Sequence, residues 1–464
     1  MPQHRRYLNG HLLLSGPDRR LASLERRLKL RCVVTPRVPQ EAFVSLPSGK
    51  TRAWHPVRLP PPPRPQGWDV RQFVIEGPTS PRIALRRIRR PSTPLDEPIH
   101  RSLDYEVRAH QEGVHGSPTP VEAIHLPDAD EGTYREQEAF RRIGLLEVER
   151  RWPAYRGEGT SVVIFDSGPG LTPTFDPQLV DVYIPWPVVV PEDFPAFREE
   201  EEPEPEVCSV RERRRMRALG AHVLGPGEME RLRALHGVMI AGIVRRIAPG
   251  ANIVLVRLMT SHLGTTSYEL IEAMRYILRL WRSQVAMSGR PVVYGSLVFN
   301  LSLGLARSSC ETVQSCVLLD TMDRIARAGV VLVAAAGNLS EGRPENATEP
   351  AAYGYFGDTR ACRVHVIPVA ASAFAAPQEY AWFSNEAHFA APGEDLILDC
   401  GLSLPGRGRY VRWSGTSFAA AQVSGIVARL LSTGLPPDQV KQRLWEATLR
   451  PRCWDGVHLV QVIH

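Results

Sequence analysis

Residues 160–168 read TSVVIFDSG. The unbroken apolar run Val162 to Phe165 does not alternate with polar residues, so it suits a strand buried on both faces, as in the centre of a parallel sheet. The run ends on Asp166 and a Ser-Gly turn, which places a carboxylate at the C-terminal edge of the sheet. An Asp closing a strand is by itself commonly only a turn former. Residues 329–338, GVVLVAAAGN, repeat the pattern and end on Asn338. Between them, HGVMIAGIV at 236–244 puts His236 at the head of an apolar helical stretch in which Gly237 and Gly242 permit close backbone packing. These segments predict an α/β protein with a mainly parallel sheet flanked by helices, its functional groups gathered at strand ends and helix starts.

A fourth segment supplies the reactive group. Residues 415–425, GTSFAAAQVSG, turn through small residues and present Ser417 at the start of an Ala-rich helix. A serine hydroxyl is a weak nucleophile unless a base takes its proton. The first turn of a helix aims unpaired N–H groups at developing negative charge. Ser and Thr are also ordinary helix caps, so the segment gains chemical meaning only together with Asp166, His236 and Asn338.

In the chain order Asp, His, Asn, Ser, these segments resemble the subtilisin-like serine proteases. RIAPGANIVLVRL at 246–258, VFNLSLG at 298–304, EPAAY at 349–353 and FSNEAHFAAPG at 383–393 fall in the same order, so the resemblance spans residues 137–464. It implies a serine endopeptidase acting through an acyl-enzyme. Ser417 would attack, His236 would act as base and then acid, and Asp166 would orient and support the imidazolium. Asn338 and the Ser417 N–H would hold the oxyanion. Ser302, Leu303, Gly304, Ala335, Ala336 and Gly337 would line the substrate channel, where a polypeptide would add as a strand. No cofactor is required; calcium stabilises many relatives, but no ligand cluster is assigned and no metal site is expected.

Four positions depart from the family pattern. Ala421 and Gln422 stand where a proline and a histidine are usual, and Phe418 follows the serine where methionine is common. Alanine favours an uninterrupted helix. Val238 replaces a usual threonine. Two other classes compete with the peptidase reading: a catalytically silent protease-like binding or scaffold protein, and an esterase. The silent reading sits poorly with an intact Asp, His and Ser set, and the esterase reading lacks the Gly-x-Ser-x-Gly elbow.

The 464 residues are 43% hydrophobic, enough for a large core. Net charge is +6 and the isoelectric point is about 9.0. Only three of the 56 basic residues are lysines, and the arginines are spread along the chain without a recognisable recognition motif, so nucleic-acid binding is not expected. Residues 1–60 carry twelve Arg or Lys against Asp18, Glu25 and Glu41, a distinct basic unit. Within it, residues 7–15 read as a strand, Asp18 to Leu30 as a helix and 31–35 as a strand. RLPPPPRPQ at 58–66 reads as an extended spacer. QFVIEG at 72–77 and IALRRI at 83–88 would return strands to the same module. Residues 91–135 read as loop-rich, and the organisation expected is a small α+β module at 1–110, either a prodomain that inhibits the cleft intramolecularly or a permanent regulatory domain, then a linker at 111–136 and the catalytic domain at 137–464. A helix running from 135 to 152 would lead into the latter.

The seven cysteines form no CxxC pair, and an odd count fits a reducing compartment better than a full disulfide framework. No apolar run reaches membrane-spanning length, and the N-terminal apolar stretch is short for a secretory signal. A cytoplasmic location is expected, without excluding secretion. The charged stretch at about 190–218, EDFPAFREEEEPEPE with RERRRMR nearby, reads as a solvated insertion. Glu345, Glu349 and Asp358 are expected to face solvent, although a carboxylate there would be able to select a basic substrate residue.

Overall fold

A computed structural model of the chain describes residues 7–17, 21–22, 24, 31–32, 41–46, 53–58, 68–74, 100–109, 123–168, 179–184, 232–259, 264–287, 289–305, 317–340, 347–356, 366–404, 408–447 and 458–459. Seven strands form its parallel centre: β1 (Thr160–Ser167), β2 (Leu179–Tyr183), β3 (Asn252–Met259), β4 (Ser296–Leu301), β5 (Val330–Ala335), β6 (Val366–Ser372) and β7 (Phe389–Pro392). Their spatial order is β7-β6-β5-β4-β1-β3-β2, every neighbouring pair parallel. All residues of β1 and of β5 are buried, as expected for strands covered on both faces.

The period-two alternation of strand side chains divides the core into two layers. On one face Val163, Phe165, Phe299 and Leu332 join the apolar residues of helices α2 (Ser267–Arg282) and α3 (Val317–Arg327). Phe165 and Phe299 meet edge to face at 4.9 Å between ring centroids. On the other face Val162, Ile164, Val298 and Val333 pack with α1 (His236–Ile247) and α4 (Thr416–Ser432). Helix α2 begins on a capping box: Thr266 Oγ1 accepts from the Glu269 N–H, and the Glu269 carboxylate accepts from the Thr266 N–H. Helices α1 and α4 pack so closely that a Cβ on Gly425 would fall 2.8 Å from Ile247 Cβ.

The N-terminal residues build an antiparallel sheet in which His100–Ala109, Tyr7–Pro17, Trp68–Val74 and Arg31–Cys32 lie side by side in that order. Leu13, Leu14, Leu21 and Leu24 share the core of α2 and α3, and the Ser15 hydroxyl donates to Asp320 of α3 at 3.2 Å. This sheet is seated on the helical layer, and most of the helix expected over Asp18 to Leu30 lies outside the described residues. Residues 41–58 depart from it: Glu41–Ser45 and His55–Arg58 extend the central sheet beyond β2.

Two expectations are corrected. The stretch from 91 to 135 is not simply loop: it holds the ten-residue strand His100–Ala109, the short strand Ile124–Leu126 and the helix Glu131–Arg135. The helix expected over 135–152 is broken into Glu131–Arg135, Glu138–Arg142 and Leu145–Arg151. Gly144, at φ 74°, turns the chain left-handed before the last of these. The hairpin at 41–58 was not anticipated at all. IALRRI at 83–88, the proline run beyond Arg58 and the charged stretch at 190–218 lie outside the described residues.

Among the described residues, no helix is long and apolar enough to cross a membrane. Cys400 is a free, buried thiol. Burial, and secondarily the Asp399 carboxylate, pushes its pKa up to about 12, so almost no thiolate exists at neutral pH. Cys400 is therefore expected to resist iodoacetamide at pH 8 in the native protein and to react after denaturation, as read by peptide mapping of alkylated cysteines.

Candidate active site

Asp166 closes β1, and His236 opens α1 directly beside it. The imidazole Nδ1 lies 2.8 Å from Asp166 Oδ1 and 3.0 Å from Oδ2. A carboxylate can only accept, so this contact places the ring proton on Nδ1 and leaves the Nε2 lone pair free to act as a base. Asp166 Oδ1 also accepts from the Ser167 N–H at 2.7 Å and from the Ser167 hydroxyl at 3.2 Å. Both Asp166 and His236 are 0% exposed. His236 Nε2 is buried with no hydrogen-bond partner among the described residues, an arrangement that structures usually avoid.

Gly237 explains how the helix start comes so near. A Cβ there would lie 2.4 Å from the Ser167 carbonyl oxygen and 3.0 Å from Asp166 Cβ. The close packing expected of this glycine is thus a contact with the very turn that carries Asp166. Phe418 lies 5.4 Å from the imidazole and Trp413 6.2 Å, ring centroid to ring centroid. Two aromatic rings therefore flank His236.

Ser417 sits in the first turn of α4, 1% exposed. Its hydroxyl donates to the Ser302 carbonyl at 3.3 Å, a long bond. Ser302 Oγ in turn donates to Asn300 Oδ1 at 2.9 Å and lies 3.1 Å from the Ser417 carbonyl. Asn300 Nδ2 donates to Ser424 one helical stretch further on at 3.0 Å. This buried polar ladder fixes α4 against the end of β4, and Asn300 and Ser424 are its unanticipated members. The sequence offered a hint for Asn300, a polar residue inside the otherwise apolar run of β4.

Asn338 follows β5 and faces the same helix start. Its Oδ1 accepts from the N–H and the hydroxyl of Thr416, each at 2.9 Å, which turns Nδ2 toward the other side. That nitrogen lies 3.6 Å from where a Cβ on Gly415 would stand, so the missing side chain at 415 leaves the donor approachable.

The residues expected to line a substrate channel divide into two kinds. Leu303–Gly304 forms a strand edge that is already paired, Leu303 opposite Ala109 and Gly304 opposite Arg108. The same N-terminal strand pairs on its other side with Gly264–Thr266, an edge the sequence reading missed although Gly-Thr-Thr carries the β-branched signal. Ala335, Ala336 and Gly337 present no such edge. The Ala336 N–H donates to the Val369 carbonyl at 2.8 Å, and the Gly337 carbonyl accepts from the Asn385 N–H at 2.9 Å. The Gly337 N–H donates to Thr416 Oγ1 at 3.2 Å.

Gln422 is bonded through Nε2 to the Pro392 and Phe418 carbonyls, so the departure from the family pattern ties α4 to the end of β7. Helix α4 runs through Ala421 without a break. The solvent-facing expectation for Glu349 is corrected: its side chain is buried and accepts from the Tyr353 hydroxyl at 3.2 Å. The fixed hydroxyl and the turn of the Tyr353 helix hold it inward. Glu345 and Asp358 lie outside the described residues. His388 packs edge to face against Trp445 at 6.2 Å. Among the described residues, no cluster of three His, Cys, Asp or Glu side chains is placed to hold a metal ion.

A parallel α/β sheet with Asp166, His236, Asn338 and Ser417 at its strand ends and helix starts has the architecture of subtilisin-like proteins. The family model described as the subtilase family matches residues 216–454, and the chain belongs to that family. An extracellular protease of Xanthomonas campestris pv. campestris is 30% identical over 229 residues, covering 45% of this chain and 35% of the relative. Proprotein convertase subtilisin/kexin type 9 of Rattus norvegicus is 31% identical over 220 residues, covering 45% of this chain and 28% of the relative. The chain thus matches about a third of the length of these curated relatives. The crystal structure of fervidolysin from Fervidobacterium pennivorans, a keratinolytic enzyme related to subtilisin, aligns with a TM-score of 0.56 at 18% identity, over 98% of this chain and 60% of that one.

The Gly237 contact gives a direct test of the site's construction. Gly237→Ala is expected to force α1 away from Asp166 and to lower stability by about 1–3 kcal/mol, the usual range for overpacking a dense interior. Thermal unfolding measures this, and an unchanged midpoint would contradict the contact.

Proposed function

We propose that the chain is a serine endopeptidase using Ser417, His236 and Asp166, with Asn338 as oxyanion donor. The observation that carries the reading is the His236 imidazole: Nδ1 is held by Asp166, while Nε2 is buried and unpartnered among the described residues. For catalysis the Ser417 hydroxyl must leave the Ser302 carbonyl and give its proton to Nε2. Oγ then attacks the substrate carbonyl carbon, and the proton passes to His236, whose positive charge Asp166 supports. Asn338 Nδ2 and the Ser417 N–H donate to the oxyanion. Collapse breaks the C–N bond, His236 returns the proton to the leaving amine, and water releases the acyl group by the reverse relay.

The substrate class follows from the cleft. Gly264–Thr266 and Leu303–Gly304 flank a single extended strand, so an unfolded peptide or loop would bind by main-chain pairing on both sides. His100–Ala109 occupies that position in this chain, with its Ala109 end toward Ser302 and Ser417. Intramolecular inhibition by the N-terminal module is the reading this supports. Ser417 being parked on a carbonyl is also what a silent binding protein would display, which makes nucleophile reactivity the decisive measurement. No cofactor enters these steps, and no calcium ligands are assigned. The cytoplasmic expectation gains nothing from the comparisons, since one relative is named an extracellular protease.

A fluorophosphonate probe is expected to label the wild-type chain once His100–Ala109 is displaced and to leave Ser417→Ala unlabelled. Equal labelling of both, or none in an opened wild type, would sink the nucleophile assignment, and ester turnover without amide turnover would favour the esterase alternative. Asn338→Ala should lower kcat by about 10²–10³ with a smaller change in KM, measured on a peptide substrate.

A further inference from the structure

By position residues 41–58 belong to the N-terminal module, but they do not enter its sheet. Glu41–Ser45 runs antiparallel to β2, with Phe43 opposite Tyr183, Val44 opposite Val182 and Ser45 opposite Asp181. His55–Arg58 pairs outside it. Ala42 and Val44 are fully buried, and Val57 nearly so. The hairpin therefore supplies core residues of the main sheet, while the strands before and after it sit on α2 and α3.

Beside the hairpin lies a buried ion pair. Arg257 of β3 donates to Asp181 of β2 through Nε at 2.8 Å and Nη2 at 2.5 Å. Trp54, between the two hairpin strands, covers this guanidinium at 5.0 Å from its ring centroid and packs 6.1 Å from Tyr183. Phe43 also lies beside Tyr183, 6.4 Å between ring centroids. The same arginine reaches the catalytic strand: it stands opposite Asp166 in the β1–β3 register, and a Cβ on Gly168 would lie 2.8 Å from its Nε. One row of residues, Asp166, Arg257, Tyr183 and Phe43, thus crosses four strands from the site to the hairpin.

We propose that the 41–58 hairpin is a permanent part of the catalytic fold and keeps the N-terminal segment bound to it as a second polypeptide once the chain is cut between Ala109 and Ala123. Losing the hairpin would bare the hydrogen-bonding edge of β2 and expose the ion pair and its apolar surround. Leaving the cleft requires only that His100–Ala109 detach. These are separate interfaces, so the cleft is opened by local displacement of one strand, and the tethered strand returns at high effective concentration. The regulation inferred rests on the peptidase reading above, whereas the retained association does not.

The test separates the two. In the full chain carrying Ser417→Ala, a recognition sequence for a site-specific protease is placed within residues 111–121 and cut, and the products are followed by size-exclusion chromatography at low micromolar concentration. The fragments are expected to co-elute. Adding Trp54→Ala should weaken their association about tenfold, the scale of a desolvated cation–π contact, and Ser15→Ala, on the α3 side of the module, should weaken it less. Separation of the parent fragments would overturn the proposal, as would a Ser15→Ala effect equal to or larger than that of Trp54→Ala. Because the nucleophile is absent and the cut is supplied externally, the result stands whether or not the chain is a peptidase.

Discussion

The hydrogen bond from His236 to Asp166 requires the start of a helix to be pressed against the end of a strand, and much of the fold serves that approach. Gly237 removes the side chain that would strike the Ser167 carbonyl. The apolar face of α1 is buried against β1 and β3 in one continuous core layer. Helix α4 is drawn onto α1 by the small contact at Gly425 and Ile247, which carries Ser417 toward the same edge. Buried polar groups are stabilising only when paired, and paired ones line the approach, from Ser167 on Asp166 to Asn300 on Ser302 and Ser424. The Nε2 of His236 is buried without a hydrogen-bond partner among the described residues.

Main-chain pairing finishes the structure in two places. At the cleft, His100–Ala109 fills the gap between Gly264–Thr266 and Leu303–Gly304. At the far side of the sheet, Glu41–Ser45 covers β2. Both strands come from the same N-terminal stretch, yet they meet different surroundings. The cleft strand lies where a peptide substrate is proposed to bind, so it must be displaceable for turnover. The edge strand contributes fully buried valine and alanine to the core and sits next to a desolvated ion pair, which gives it the character of permanent structure.

Much of this was readable from residue order. The unalternating runs of β1 and β5 identified buried parallel strands because only a sheet covered on both faces tolerates them, and the polar residue ending each run marked the functional edge. The Ala-rich segment after Ser417 announced an unbroken helix. The strand at 100–109 was also legible in principle, since Leu103, Tyr105 and Val107 recur with period two, but the intervening charges made the stretch look like loop. Gly144 was hidden for a different reason: its neighbours have strong helix preference, and only the left-handed turn at that residue splits them into two helices. Glu349 reads as a surface residue by type, and tertiary packing turned it inward onto Tyr353.

The sequence by itself determined the α/β class, the buried strands and the chain order of Asp166, His236, Asn338 and Ser417, because periodicity and residue type are local properties that burial and chemistry impose on short stretches. Tertiary structure alone decided that His236 bonds Asp166 while Ser417 turns to Ser302, that Asn338 is oriented by Thr416, and that residues 41–58 leave their own module to finish the main sheet. Strand pairing over long separations is set by which edges remain open once the core has assembled, and no local pattern records that.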